Sequence, residues 1–190
     1  MSIFNENISN LLIKGGVGII PTDTLYGLVG KSEILETVER IYKLRLRDID
    51  KPCIILISSI EDLEKFDIEL TESEKRFIID NKIWPGKVSI VLPCSNPDFT
   101  YLHKGKNSIA FRVPATKELR DLIEKTGPLL APSANIQGEP PAKNIISAKK
   151  YFEDSVDFYV DGGEIDSLPS TLMCFNNDLP VVLRKGAVKI

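Results

Sequence analysis

The sequence predicts an α/β protein: a single domain with a twisted mixed β-sheet flanked by helices. Three observations predict it. Short apolar runs of strand length recur at 17–20, 53–57, 88–92, 108–114 and 129–131. Helix-length stretches with their own start and stop signals lie between them. The run at 53–57 is apolar without alternation, as a strand covered on both faces is.

Each element has a local reason. Residues 5–14 fit a short amphipathic helix stopped by Gly15-Gly16. The strand at 17–20 runs into Pro21-Thr-Asp-Thr-Leu-Tyr-Gly27, a polar cluster between a proline and a glycine. It reads as a ligand loop at a strand end, as a helix start with Thr22 or Asp23 as N-cap, or as both at once. Ser32 is placed to cap a helix through about Leu44, whose apolar face is Ile34, Leu35, Val38, Ile41 and Tyr42. Ser58-Ser59 opens a short helix, and Thr71-Glu-Ser-Glu74 is a capping box for a helix to about Asn81. Trp84-Pro-Gly86 ends it, with Trp84 expected as a core anchor. Residues 93–106 are polar and read as a surface loop, which makes His103 a solvated loop histidine. Thr116 caps a helix to about Thr126, ended by Gly127-Pro128. A helix over 144–152 and strands at 158–160, 171–175 and 181–183 complete the chain.

Bulk properties remove several function classes. A chain of 190 residues suffices for one sizeable core and is marginal for two domains. A net charge of −3 gives no global basic field for nucleic acid. Cys53, Cys94 and Cys174 are widely spaced and odd in number, which argues against a disulfide framework or zinc site and suits a reducing cytoplasm. The N-terminus lacks a basic, apolar leader pattern, and no run reaches the ~18 apolar residues of a membrane span. His103 is the one histidine, and no nucleophile elbow surrounds it.

What remains is a set of polar islands bordering apolar strands. Ala131-Pro-Ser-Ala-Asn135 continues to Pro140-Pro141-Ala142 and sets Ser133 and Asn135 in a proline-stiffened frame. It is a preorganised ligand loop or an ordinary Asx/Ser turn. The end of the helix through about Leu44 becomes basic, with Lys43, Arg45, Arg47 and then Lys51, as dipole-favoured cations or as an anion site. Arg112 lies inside an apolar strand and needs a buried anion or a route to water. Ser108, Ser170 and Arg184 sit at strand edges. If these islands converge, they suit an anionic, hydroxyl-rich ligand such as a nucleotide. No Walker A loop and no GxGxxG is present, so catalysis would rest on positioning and charge stabilisation.

The order of these motifs resembles the YrdC/Sua5 family of threonylcarbamoyl-AMP synthases. The resemblance runs from Pro21–Leu28 through Trp84-Pro-Gly86, Ile109-Ala-Phe-Arg-Val-Pro114 and Ala131–Asn135 to Ser170-Thr171 and Leu183-Arg-Lys-Gly186. It implies a positively charged cavity and the formation of L-threonylcarbamoyladenylate and pyrophosphate from L-threonine, bicarbonate and ATP, with Mg2+ accompanying the ATP and no metal site of the protein's own. It implies Thr24, Arg112, Ala131 and Ser170 around threonine. It implies Arg47, Lys51, Ser108, Ser133, Asn135, Pro141 and Arg184 around ATP, with Arg47 and Lys51 stabilising charge. Other proteins of a tRNA threonylcarbamoyl-transfer machinery would use the product. The family's usual Lys-x-Arg reads Arg45-x-Arg47 here, which keeps charge and changes geometry. The chain resembles the short form, one domain over 1–190 with no second C-terminal domain. Two rival readings stand beside it: an RNA-binding module using the basic run, and a carbamoyl-adenylate-forming enzyme of the same fold.

Overall fold

The computed structural model describes residues 3–48 and 50–190. Met1 and Ser2, which enter the leader reading, and Ile49, inside the basic run, lie outside the described residues. Nine strands form one mixed sheet among the described residues. In chain order they are β1 (Gly18–Pro21), β2 (Tyr26–Lys31), β3 (Ile54–Leu56), β4 (Val88–Pro93), β5 (Ser108–Arg112), β6 (Leu129–Leu130), β7 (Phe158–Tyr159), β8 (Thr171–Asn176) and β9 (Leu179–Arg184). Their order across the sheet is β7-β1-β2-β6-β3-β5-β4-β8-β9. The pairs β1–β7, β3–β5 and β4–β8 are parallel and the rest antiparallel.

The helices are α1 (Glu6–Ile13), α2 (Leu35–Leu44), α3 (Glu72–Asp80), α4 (Thr100–His103), α5 (Lys117–Thr126) and α6 (Ile145–Phe152), with 3-10 turns at Ile60–Phe66 and Pro97–Phe99. Asn5 caps α1 through its side chain, Thr71 and Glu74 complete the expected capping box of α3, and Asn144 caps α6. Trp84 is buried and donates its indole N–H to Val88 O at 2.8 Å, as a core anchor should.

Strand pleating sorts residues onto two faces. On one face Leu28, Ile55, Ile90, Phe111 and Met173 join the larger core with residues of α2, α3 and α6. On the other, Ile20, Val29, Leu56 and Leu129 pack under Ile8 and Leu12 of α1 and Leu119, Leu122 and Ile123 of α5. Arg112 pairs in register with Leu56, and Ala110 with Ile54, so both belong to this second face, which α1 and α5 cover in part. The functional site occupies the remainder.

Four expectations are corrected. Residues 26–31 form a strand, not a helix: Thr22 and Asp23 sit in the hairpin between β1 and β2. Tyr26 and Leu28 face the core, and Gly30 lets α2 approach, since a Cβ there would overlap Thr37. Ser32 does not cap α2. Its hydroxyl is buried and donates to Pro128 O at 3.0 Å, while Ile34 holds the cap position. Residues 93–106 are not a featureless loop, because the Pro97–Phe99 turn and α4 order them. His103 is consequently buried: its Nδ1 accepts from Gly105 N at 3.1 Å, and its Nε2 has no partner among the described residues.

Candidate active site

The sheet brings most of the polar islands to one cavity of about 280 Å3. Thr22, Thr24, Tyr26 and Gly27 of the β1–β2 hairpin form one wall, and Ala131, Pro132 and Ser133 lie beside them. This contact follows from register, because Gly27 bridges Ser133 and Leu28 N donates to Pro132 O at 2.9 Å. Ile54, Ala110, Arg112 and Leu172 come from the sheet, and Ser170, Arg184, Arg45, Arg47 and Pro52 line it as well. Among the described residues, four arginines therefore line the cavity and no carboxylate does.

The arginines differ in what opposes them. Arg112 is buried in a pair with Asp23, Nη1 to Oδ1 at 2.5 Å, each side chain 5% exposed. The other carboxylate oxygen of Asp23 accepts from Ala115 N at 3.0 Å. Burial pushes the Arg112 guanidinium below its usual range, and Asp23 acts in the opposite direction. The Nε of Arg112 is buried with no partner among the described residues, an unmet donor on a residue that lines the cavity.

Arg45 is buried without any carboxylate partner among the described residues. It donates from Nε to Asn135 O at 3.0 Å, and from Nη2 to Asn135 Oδ1 at 2.9 Å and Ser133 Oγ at 3.3 Å. Burial, then the neighbouring Arg47, lower its pKa to about 10, so it remains a cation at neutral pH. Ser133 Oγ donates to Asn135 Oδ1 at 2.7 Å, and the Asn135 amide donates to Ile136 O and Glu139 O, both at 2.8 Å. The loop at 131–135 is thus a fixed network rather than a bare turn. Gln137 completes the clamp, its N–H on Arg45 O at 2.8 Å and its Oε1 accepting from Asp48 N at 2.9 Å.

Arg47 turns back on its own loop, Nε to Lys51 O at 2.9 Å and Nη2 to Pro52 O at 3.0 Å. Arg184 donates from Nη2 to Ser170 O at 2.9 Å, and burial lowers its pKa. Ser170 Oγ is buried against Ser89 Oγ at 2.8 Å. Thr24 shares a hydrogen bond with Thr22 at 3.2 Å, and Thr22 Oγ1 donates to Leu25 O at 2.6 Å.

Of the residues singled out in the sequence, Thr24, Arg47, Arg112, Ala131, Ser133, Ser170 and Arg184 border the cavity. Asn135 stands behind its wall, bonded to Arg45 and Ser133. Lys51, Ser108 and Pro141 are not on the lining. Lys51 is exposed and paired with Asp48 at 3.1 Å. Ser108 starts β5 opposite Pro93, and Pro141 is exposed. For two participants, sequence reading named the residue but missed its burial and its partners. Asp23 stood in a polar cluster with no sign that it would meet Arg112, 89 positions away. The burial of Arg45 depends on a loop 90 positions away, and an arginine two residues from Arg47 was the only signal.

Among the described residues, no group of three or more His, Cys, Asp or Glu is arranged to hold a metal ion, and no helix is long and apolar enough to cross a membrane.

Comparison with known proteins puts this geometry in a lineage. The family model named Sua5_yciO_yrdC, described as "Telomere recombination", matches residues 10–186. A curated protein of Pyrococcus abyssi named threonylcarbamoyl-AMP synthase is 32% identical over 93% of this chain and 52% of its own length, so the chain spans about half of that relative. A protein of the same name from Marinobacter nauticus is 33% identical over 80% of each. The crystal structure of P. abyssi Sua5 complexed with L-threonine superposes with a TM-score of 0.84 at 32% identity, over 94% of this chain and 52% of that one. The motifs, the mixed sheet and the match over nearly its whole length agree: the chain belongs to the Sua5/YciO/YrdC family.

Proposed function

We propose that this chain forms L-threonylcarbamoyladenylate and pyrophosphate from L-threonine, bicarbonate and ATP, the first step of threonylcarbamoyl modification of tRNA. The observation that carries the proposal is the division of one cavity into two kinds of cation. Arg112 is paired and suits a single carboxylate. Arg45, Arg47 and Arg184 have no carboxylate partner among the described residues and suit a polyphosphate. Family membership and relatives named threonylcarbamoyl-AMP synthase support the same reading.

In this scheme Arg112 receives the threonine carboxylate, with Thr24, Ser170 and the Ala131 backbone beside it. Ser133 and Arg184 border the nucleotide, Arg47 meets its phosphates, and Arg45 and Asn135 hold the loop that presents Ser133. Ser108 and Pro141 lie off the lining, so any contact they make would be with parts of ATP outside the cavity. Mg2+ enters as part of the nucleotide substrate. Lys51 must leave Asp48 to reach a phosphate, a small barrier for an exposed pair worth at most ~1 kcal/mol. The threonine amine adds to CO2 derived from bicarbonate to give a carbamate. A carbamate oxygen attacks the α-phosphorus, and pyrophosphate leaves. The arginines stabilise charge on the transferring group without forming a covalent intermediate. Among the described residues neither carboxylate nor imidazole is on the lining, so the proton released on carbamate formation passes to solvent or to a nucleotide phosphate. The setting is cytoplasmic, and the tRNA threonylcarbamoyl-transfer machinery consumes the product.

The test is pyrophosphate release by purified protein given ATP, Mg2+, bicarbonate and L-threonine. Release that requires threonine and bicarbonate together is the expected result. Release that requires carbamoyl phosphate instead would move the assignment to carbamoyl-adenylate chemistry. No release, with salt-sensitive RNA binding, would leave an RNA-binding module.

A further inference from the structure

We propose that Asp23 sets the anion selectivity of the amino-acid end of the cavity: by holding and neutralising Arg112, it makes that end accept a planar monoanionic carboxylate and turn away phosphate-like dianions. This rests on the functional reading above and adds a residue to it.

The argument starts from donors. A guanidinium has five N–H groups in a fixed fork. Asp23 engages Nη1, Nε is buried and unpartnered, and Nη2 makes no hydrogen bond with the described residues. Asp23 therefore leaves the Nε–Nη2 edge unengaged, two parallel donors whose spacing matches the two oxygens of a carboxylate. Asp23 is itself fixed, because its second oxygen is held by Ala115 N. The segment carrying that N–H is held in turn by Arg120 Nη1, which donates to Pro114 O at 2.7 Å and Ala115 O at 2.6 Å. The fork cannot swing without breaking this chain of contacts.

Charge gives the second half. The Arg112–Asp23 pair is buried and neutral in sum. A monoanion bound to it adds one buried negative charge. A dianion adds two and also faces Asp23 across the guanidinium, an arrangement that low-dielectric surroundings make costly. Elsewhere on the lining, Arg45, Arg47 and Arg184 are opposed by no carboxylate among the described residues, and there a polyanion is favoured. Asp23 thus separates two anionic substrates that four bare arginines would confuse, which is selectivity by a built-in repulsion.

The probe is L-threonine against its phosphonate analogue, in which a phosphonate replaces the carboxylate and the amine and hydroxyl are kept. Binding of each to the native chain is measured by calorimetry at pH 8, where the phosphonate is a dianion. Threonine should bind at least ~10-fold tighter, equivalent to ~1.4 kcal/mol. In Asp23→Asn the preference should shrink by ~10-fold or invert, and Asp23→Glu, which keeps the charge, should restore much of it. A merely structural Asp23 would weaken both ligands alike and leave their ratio unchanged. Equal or tighter phosphonate binding by the native chain overturns the inference, as does an unchanged ratio in folded Asp23→Asn. If that variant does not fold, the native comparison decides. A native chain that binds neither ligand overturns the functional reading together with this inference, whereas one that binds threonine and the phosphonate equally overturns the inference alone.

Discussion

The arginine on β5 and the basic loop after α2 answer the same need by opposite means. Arg112 is 4% exposed, neutralised by Asp23 and fixed before any ligand arrives. The loop at 45–52 divides its labour. Arg45 is buried and organises the neighbouring chain, whereas Arg47 folds onto its own backbone and Lys51 stands in solvent against Asp48. One region is preorganised and charge-balanced. The other leaves Arg45 and Arg47 without a carboxylate partner among the described residues and its outermost cation in an exposed pair. The difference teaches that residue type alone does not define an anion site. A buried counter-ion suits a site that must discriminate, and unopposed cations suit one that must attract polyphosphate.

Arg112→Ala breaks the comparison most severely. It leaves Asp23 buried and unpaired, at a cost of roughly 3–5 kcal/mol, seen as a fall of ~10 °C in the thermal midpoint. Threonine-dependent pyrophosphate release should vanish as well. The double variant Asp23→Ala/Arg112→Ala should recover a good part of the stability but none of the activity. Simple additivity of the two single losses would show that the pair does not act as a unit.

Next comes Arg45→Ala, which strips three hydrogen bonds from Asn135 and Ser133. A loss of about 2–3 kcal/mol in denaturant unfolding is expected, because buried acceptors are left unmet. Arg45→Lys sharpens the question. It keeps the charge, cannot span both loop residues as a fork does, and should cost about half as much. Equal costs for the two would mean that the fork does not matter. Ser133→Ala is smaller still, about 1 kcal/mol for the bond to Asn135 Oδ1, with weaker nucleotide binding as the functional readout.

Lys51→Ala should barely move stability, by under ~1 kcal/mol, since its pair with Asp48 is exposed on both sides. Its effect on adenylate formation should nevertheless be large, on the order of 100-fold, if it meets the transferring phosphates. A folded and fully active Lys51→Ala protein would remove it from the mechanism.

Much of this was legible in the sequence wherever structure is local. The capping box at Thr71, the glycine stop after Thr126 and the buried runs of β3, β4 and β5 follow from spacing and residue type. Arg112 was conspicuous because an arginine in an apolar strand demands a partner. The partner was not legible, because the β1–β2 turn reaches β5 only through the sheet order. Strand β2 was hidden by Gly27 and Gly30, poor strand formers that are tolerated because close neighbours replace the missing side chains. Arg45 read as one cation of a basic run, either a solvated face or an anion site, and only the fold turns it inward to the loop at 133–135. His103 was misplaced for the same reason: polar neighbours in sequence do not show that α4 packs its Leu102 side into the core.

The most direct test of the divided cavity is a pair of KM values, for threonine and for ATP, measured in Arg112→Lys and in Arg47→Lys. A divided cavity predicts that the first substitution raises the threonine KM and leaves that of ATP nearly unchanged, and that the second does the reverse. Both constants rising together in both variants would contradict it, and would mean that the four arginines act as one undivided anion site.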